Sequence, residues 1–179
     1  MADVVESYKD YAPPINAKAV VEGLIKRVPE KYIVGLKCVV LTNREHLSHD
    51  RRRGRTWFRG RKYRQADSLG LYHESWRGEP AWIEVFVDNL VDSWGADFLR
   101  IPFFRDLAFC DVVYHELGHH VHKAVRPEHR EREDVAEDWR KRFTREYLRR
   151  KYWYLLPIMY PLGLAVRLGE RAVKTLRGR

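Results

Sequence analysis

Hydrophobic and polar positions follow two periods along this chain, and together they predict a mixture of helices and strands. Residues 17–28 carry apolar side chains at helical spacing, whereas residues 36–42 form the short apolar run that is typical of a buried strand. Residues 70–73 and 82–87 are rich in aromatic and β-branched residues, and a Gly–Glu–Pro sequence breaks the chain between them. Residues 1–14 are expected to form an irregular lead. The pattern therefore predicts an α+β fold with a hairpin ahead of the longest helical segment.

Two helical patterns follow the predicted hairpin. Between residues 103 and 119, apolar positions recur at helical spacing and form one stripe that runs into two histidines. A second helix is predicted after Pro127, which suits a first helical turn. Its apolar positions recur every four residues, at Val135, Trp139, Phe143 and Tyr147. Each helix is therefore expected to present one face to a hydrophobic core.

The first long helix contains the sequence His-Glu-Leu-Gly-His at residues 115–119. Positions four apart lie on one face of a helix, so His115 and His119 can bind the same metal ion. Zinc accepts neutral imidazole, and a catalytic zinc keeps one position for water beside three protein ligands. Glu116 lies next to that position and can accept a proton from the zinc-bound water near neutral pH. The motif predicts a catalytic Zn²⁺ ion with Glu116 as the general base.

The alternative is a charged helix that carries two histidines by chance. The histidines continue a buried stripe, where polar side chains need partners, and a metal ion is a natural partner. Gly118 lies inside the motif, although glycine in a helix interior costs about 1 kcal/mol relative to alanine. A close approach of another element at Gly118 would explain that cost. Both observations favour the metal site.

The third metal ligand is expected from the second helix. A metzincin site would continue with a glycine and a third histidine, but His122 and Val125 occupy those positions. Glu133 and Glu137 are four residues apart on the second helix, so Glu133 could bind zinc while Glu137 orients a ligand histidine. These acids could also form a solvated helix start, where carboxylates favour the positive end of the helix dipole.

Five residues together resemble the two-helix signature of the gluzincin clan of zinc metallopeptidases: His115, Glu116, His119, Glu133 and Glu137. In that clan, H-E-x-x-H is followed by a glutamate ligand with an acidic residue four positions later. The short chain and the short link between the two helices most resemble the archaeal minigluzincins. The chain departs from the clan in having Glu137 where aspartate is commoner, and Asp134 with Asp138 offers a rival register for the third ligand.

The resemblance implies a zincin-like fold and the activity of a zinc endopeptidase. In that fold, a small twisted β-sheet packs on the active-site helix and is followed by a glutamate ligand helix and a helical C-terminal region. The resemblance also implies that residues 82–87 are an edge strand that binds substrate by β-augmentation. The candidate residues for substrate contact are Trp82, Glu84 and Phe86. An ordinary core strand is the alternative for this segment.

Members of the clan usually add a tyrosine, histidine or arginine that stabilises the oxyanion. His129, which precedes Glu133 by one turn, is the first candidate, and Tyr147 is the second. A structural or solvent-exposed role is the simpler explanation for each of them.

Length and composition favour one intracellular domain. A chain of 179 residues is expected to form a single domain over 1–179, with its core at about 15–150 and an apolar, basic segment at 151–179. The start lacks a basic and then apolar run, so no secretory signal is predicted and a cytoplasmic location is expected. Cys38 and Cys110 lie in apolar elements and are expected to be buried, reduced thiols, with a disulfide between them as the alternative.

Two further segments carry the net charge of +9 and much of the remaining apolar character. Residues 51–64 interleave arginines with aromatic residues, which suits contact with nucleic acid, although a solvated loop or an ion-paired hairpin is favoured. Residues 152–166 are apolar, but they are shorter than the ~20 residues of a bilayer span and contain two prolines, so no transmembrane helix is predicted. This segment could form part of the core, lie on a membrane or partner surface, or fold over the cleft.

Together these patterns predict a zinc-dependent peptidase whose substrate is a peptide or a protein. One alternative is a latent or non-catalytic zinc-binding module. The other is a nucleic-acid-associated zinc protein that uses residues 51–64.

Overall fold

The amino-terminal half of the chain forms a mixed sheet of four strands. The computed structural model describes residues 2–58, 61–125 and 133–155. The strands are β1 (Asp3–Ser7), β2 (Leu36–Thr42), β3 (Arg55–Phe58), β4 (Arg61–Arg64), β5 (Gly70–His73) and β6 (Ala81–Phe86). The helices are α1 (Ala17–Ile25), α2 (His49–Arg53), α3 (Val87–Trp94), α4 (Ala96–Arg100), α5 (Pro102–Val125) and α6 (Glu133–Lys151). The main sheet has the order β1–β2–β6–β5, while β3 and β4, among the described strands, pair only with each other. The predicted α+β class is confirmed.

The centre of the main sheet is formed by β2 and β6, which run parallel to each other. Both strands are largely apolar, and five of the six residues of β6 are buried, as is typical of a central strand. Helices α1 and α5 pack together, and the hydroxyl of Tyr114 in α5 donates to the carbonyl oxygen of Leu24 in α1 at 3.2 Å. Neither cysteine forms a disulfide; Cys110 is buried, as predicted, whereas Cys38 is only half-buried.

The expectation of an irregular lead over residues 1–14 is wrong, because β1 lies at one edge of the main sheet. It pairs in parallel with β2, and Val4 lies opposite Val39. Val4 is buried, whereas Val5 is 45% exposed and the other residues of the strand are polar. A strand of this kind is stabilised by its backbone hydrogen bonds to β2, and the apolar periodicity of the sequence does not reveal those bonds.

Helix α1 begins at Ala17, as predicted. The side chain of Asn16 caps it by accepting a hydrogen bond from the backbone nitrogen of Ala19 at 3.0 Å. The helix ends at Ile25 rather than at residue 28.

The prediction that residues 82–87 form an edge strand is wrong. Strand β6 lies inside the sheet, paired with β2 on one side and with β5 on the other. The cause is a tight turn at Arg77 and Gly78, whose φ angles of 48° and 90° suit the hairpin turn that matches strand twist. Reciprocal backbone hydrogen bonds between Trp76 and Glu79, at 3.0 and 2.9 Å, close this turn. The hairpin therefore folds β5 along the side of β6 that would otherwise be exposed.

The three residues predicted to contact substrate lie on the face of the sheet opposite α5: Trp82, Glu84 and Phe86. A Cβ atom added to Gly70 would meet Glu116 of α5, so the face that Gly70 shares with its partner Val85 is the face covered by α5. Side chains alternate between the two faces along a strand. The even-numbered residues of β6 therefore point away from α5.

On that opposite face, Glu84 is the centre of a buried ion-pair cluster. Its carboxylate lies 2.5 Å from Arg51 of α2 and 3.1 Å from His73, whose ring stacks on Trp82 with the ring centres 3.8 Å apart. Burial raises the pKa of Glu84, but the hydrogen bonds and charges of His73 and Arg51 outweigh burial and leave the pKa below its ordinary value. Glu84 thus joins α2 to the sheet.

Two short helices separate the hairpin from α5. Helix α3 follows β6 directly, and Gly95, with a φ angle of 81°, separates α3 from α4. Helix α5 then begins at Pro102, whose fixed φ angle suits a first turn, and continues for 24 residues. At 1.5 Å per residue this helix is about 36 Å long, and it contacts both β5 and β6 of the sheet.

The chain divides into two compact units, Met1–Arg145 and Glu146–Arg179. In the second unit, the described residues comprise the end of α6 and a 3₁₀ turn at Trp153–Leu155, in which Trp153 and Tyr154 are exposed. The predicted apolar segment lies outside the described residues from residue 156 onward. Its roles, and the single-domain organisation, remain predictions. No helix in the described part of the chain is both long and apolar enough to cross a membrane.

Candidate metal centre

Helix α5 places three of the predicted functional residues in the buried layer between helix and sheet. His115, Glu116 and His119 are 9%, 8% and 5% exposed. The apolar stripe that precedes them buries Ala108 completely and Val112 almost completely. Because the two histidines are one helical turn apart on this face, their Nε2 atoms lie 3.2 Å from each other.

Helix α6 brings a carboxylate to the same point. Glu133 Oε2 lies 3.4 Å from His115 Nε2 and 4.0 Å from His119 Nε2. Among the described residues, these three form the single group of histidine, cysteine and acidic side chains that could hold one metal ion. Two ligand atoms on a tetrahedral zinc lie about 3.4 Å apart when each is about 2.1 Å from the ion. The donor set and its spacing therefore fit zinc.

Gly118 allows α6 to approach α5 closely enough to deliver this carboxylate. A Cβ atom at Gly118 would lie 2.6 Å from the carbonyl oxygen of Ala136 and 2.8 Å from its Cα. Ala136 is fully buried and follows Glu133 by about one turn of α6. The close approach predicted from the glycine is confirmed, and it occurs at the residue next to His119.

Glu137 lies beside the other ring nitrogen of His115, with its Oε2 4.0 Å from Nδ1. Arg140 donates to both oxygens of this carboxylate, at 2.7 and 2.5 Å, and also to Asp111 of α5. The hydrogen bonds from Arg140 are the main reason that the pKa of Glu137 falls to about 2; burial opposes them, and the charges of Arg140 and Lys141 reinforce them. Glu137 is therefore ionised at every pH at which a histidine titrates.

Strand β5 runs along α5 on the other side of the motif. A Cβ atom at Gly70 would lie 2.9 Å from Cγ and 3.0 Å from Oε1 of Glu116, so the carboxyl group of Glu116 packs directly against the backbone of this strand. Lys123, two turns further along α5, forms a salt bridge with Glu74 at 3.1 Å. Sequence reasoning missed Gly70, whose only signal was a glycine at the start of a predicted strand.

Tyr72 and His120 form a second contact between β5 and α5. The ring of His120 donates from Nε2 to the carbonyl oxygen of Val34 at 3.0 Å, because a carbonyl can only accept. Burial lowers the pKa of His120, and in the neutral ring that carries its proton on Nε2 the Nδ1 atom accepts a hydrogen bond from the Tyr72 hydroxyl at 3.3 Å. This bond holds the Tyr72 ring nearly parallel to that of His119, with the ring centres 6.5 Å apart. The sequence assigned no role to either residue.

The remaining predicted site residues lie elsewhere. Asp134 is exposed, and Asp138 has a side chain that is 80% exposed, so the rival register places neither of them in the metal group. Tyr147 belongs to the second compact unit, where its hydroxyl accepts a hydrogen bond from Lys151 at 3.0 Å. His129 lies outside the described residues. The oxyanion stabiliser therefore remains a prediction.

The basic segment at residues 51–64 is partly used within the protein. Arg51 pairs with Glu84, and Arg52 donates to the carbonyl oxygens of Leu47 and Glu45, both at 3.0 Å. The remaining arginines whose side chains are described are exposed: Arg53, Arg55 and Arg64. The ion pairs agree with the favoured structural interpretation, and contact with nucleic acid remains a prediction.

Comparisons with protein-family models, with curated proteins and with solved structures each find no significant match to this chain. The function of the metal group must therefore be argued from its own residues and their geometry.

Proposed function

We propose that this protein is a zinc-dependent peptidase of the gluzincin type. The observation that carries the proposal is the convergence of His115, His119 and Glu133 next to a buried Glu116. Two histidines one turn apart, a carboxylate from a second helix and a carboxylate between the histidines form the donor set and the base of a hydrolytic zinc site.

The same geometry favours a catalytic site over a purely structural zinc site. Structural zinc usually has four protein ligands, and the group has three among the described residues. The side chain of Glu133 is 40% exposed, whereas those of His115 and His119 are 11% and 6% exposed. Solvent reaches part of the Glu133 side chain, but the Oε2 atom that faces the histidines is itself buried.

Glu116 is the residue that would move the proton. His115, His119 and Glu133 would hold the zinc, which would supply acidification of a water near neutral pH and polarisation of a carbonyl oxygen. The Glu116 carboxylate would accept the proton of the attacking water and pass it to the leaving nitrogen. Its contact with Gly70 restricts where the carboxylate can lie, so the base is held in place before a substrate binds.

Strand β5 is the natural place for a peptide substrate to bind. It is the edge strand nearest the metal group, and among the described strands it pairs only with β6. An extended peptide could add to its open side through backbone hydrogen bonds, in the manner first assigned to residues 82–87. Because the turn at Arg77 and Gly78 places β5 beside β6, we assign the proposed substrate-binding role to β5 and not to residues 82–87.

The test compares zinc content and peptide cleavage in the parent and in Glu116→Gln. The amide keeps the shape of the side chain but cannot accept a proton, so zinc should remain bound while cleavage of an unstructured protein substrate falls by at least ~10²-fold. Glu22→Gln, at an exposed position of α1, is the matched control and should leave both unchanged. Equal turnover by the parent and Glu116→Gln would reject the mechanism, and zinc binding without any cleavage would identify a non-catalytic or latent module.

A further inference from the structure

Arg140 joins α6 to α5, about two turns beyond Glu133 on its own helix and at a partner, Asp111, one turn before His115. Its Nε and one terminal nitrogen bind the two oxygens of Glu137 at 2.7 and 2.5 Å, and the other terminal nitrogen binds Asp111. Asp111 precedes His115 by four residues on α5, and Arg140 follows Glu137 by three on α6. The guanidinium therefore holds the carboxylate next to His115 from one helix while it is itself held by the other.

We propose that Arg140 is a positioning residue of the metal centre, which fixes Glu137 against His115 so that the Nε2 atom of this histidine faces Glu133. The proposal rests on zinc binding at this site and does not require catalysis. A ligand histidine is commonly oriented by a carboxylate at its second ring nitrogen, which sets both the tautomer and the ring position. Glu137 Oε2 lies 4.0 Å from His115 Nδ1, which is longer than a hydrogen bond. The position of Glu137 therefore depends on its contacts with other residues.

The fork of the guanidinium is the feature that a different cation cannot replace. Arginine offers planar, paired donors that match a carboxylate, whereas lysine offers a single flexible ammonium group. Arg140 uses that fork on Glu137 and still has a nitrogen for Asp111. Its side chain is 22% exposed and that of Glu137 is 21% exposed, so solvent weakens these bonds only in part.

The contacts also keep the two helices in register. Arg140 lies opposite Asp111, Glu137 opposite His115, and Ala136 against Gly118. From one pair to the next, the residue numbers rise along α5 and fall along α6, so the two helices run antiparallel. The Arg140 contact is the outermost described pair of this series, and it limits sliding of α6 along α5, which would carry Glu133 away from the histidines.

The experiment measures zinc affinity by chelator competition, the visible spectrum of the cobalt(II) form, and thermal unfolding of the metal-free protein. Arg140→Met and Arg140→Lys should each weaken zinc by about 10–100-fold, the usual effect of losing a residue that orients a ligand. Both should change the cobalt spectrum, because the ligand geometry changes. Arg145→Met removes the same charge from an exposed position of the same helix and should bind zinc like the parent.

A double-mutant cycle shows whether Arg140 acts through Glu137. In a Glu137→Ala background, Arg140→Met should cause no further loss of zinc affinity. If Arg140→Met unfolds the metal-free protein, Asp111→Asn tests the same contact at a side chain that is 47% exposed, and it should give a smaller loss of zinc affinity in the same direction.

The proposal is overturned if Arg140→Lys binds zinc as tightly as the parent, or if Arg140→Met adds its full loss to that of Glu137→Ala. A parent protein that binds no zinc would refute the metal centre itself, which is a different result. If the Arg140 variants lose peptide cleavage but keep their zinc affinity, Arg140 does not position the metal ligands. The loss would then bear on the proposed activity instead.

Discussion

Replacing Gly118 with alanine tests the idea that a close approach of two backbones builds the site. The new Cβ would lie 2.6 Å from the carbonyl oxygen of Ala136, and ordinary contact begins at 3.4 Å. The helices must therefore separate by about 0.8 Å at this point, because backbone atoms in a packed interior cannot move independently. Overpacking of this kind costs about 1–3 kcal/mol, and the better helix propensity of alanine offsets about 1 kcal/mol of that cost.

The effect on the metal should exceed the effect on stability. A shift of α6 by about 0.8 Å is several times the ~0.2 Å tolerance of a metal–ligand distance. Since Glu133 is less than one turn from Ala136, it moves with the helix, and zinc affinity should fall by roughly 10–100-fold. Chelator competition measures the affinity, and thermal unfolding of the metal-free protein measures the stability.

Gly23→Ala is the matched control, because Gly23 lies inside α1 and a Cβ atom there would meet nothing within 4 Å. It should gain about 0.5–1 kcal/mol of stability and leave zinc affinity unchanged. Replacing glycine with alanine is thus expected to raise the stability of the protein at Gly23 and to lower it at Gly118. If Gly118→Ala is stabilised like Gly23→Ala and keeps its zinc affinity, the argument from helix approach is refuted.

Three further substitutions test other parts of the structure. Gly70→Ala should lower kcat by at least ~10-fold while zinc affinity stays within a few-fold of the parent, because the new Cβ would meet Val112 and Glu116, neither of which is a predicted ligand; unchanged kcat would contradict this. Glu133→Ala should empty the site at low micromolar free zinc while Asp134→Ala keeps it occupied, and the opposite result in metal analysis would support the rival register. The pKa of Glu84 in the folded state is lower than its ordinary value of 4.5. Its ion pairs therefore stabilise the folded protein above pH 4.5, and this stabilisation is lost as the pH falls through the folded-state pKa. The difference in unfolding free energy between the parent and Glu84→Gln should therefore shrink below pH 4.5, and a difference independent of pH would exclude this role.

The histidine-motif helix and the group that could hold a metal could be predicted in part because local rules determine the histidine pair. Helical spacing alone brings His115 and His119 together, and the glycine between them indicated a neighbouring helix. Glu133 was chosen over Asp134 from its helix register and from the resemblance to the gluzincin ligand helix, and the structure brings Glu133 to the histidines. The distance between the two histidines lies within α5, and their distance to Glu133 depends only on how α5 and α6 pack.

The rest depended on contacts between distant segments. A polar, half-exposed strand such as β1 gives no periodic signal, and its partner β2 begins about thirty residues later. The position of β6 in the sheet depended on the turn at Arg77 and Gly78, where a non-glycine residue adopts a positive φ angle. Arg140 was missed for a similar reason, since an arginine on a charged helix looks solvated until Asp111 on the other helix is known to lie opposite.

If zinc binds as proposed, its ligands come from both α5 and α6, so the ion would add a crosslink to the contacts of Arg140 with Asp111 and of Gly118 with Ala136. A ligand that binds only the folded chain adds about 2.7 kcal/mol when its free concentration is 100 times the dissociation constant. That is a large share of the roughly 5–15 kcal/mol that keeps a domain folded. The pairing of α6 with α5 would therefore depend on how much zinc the surroundings make available. Under zinc limitation, the ligand helix would loosen while the sheet and α5 keep their packing.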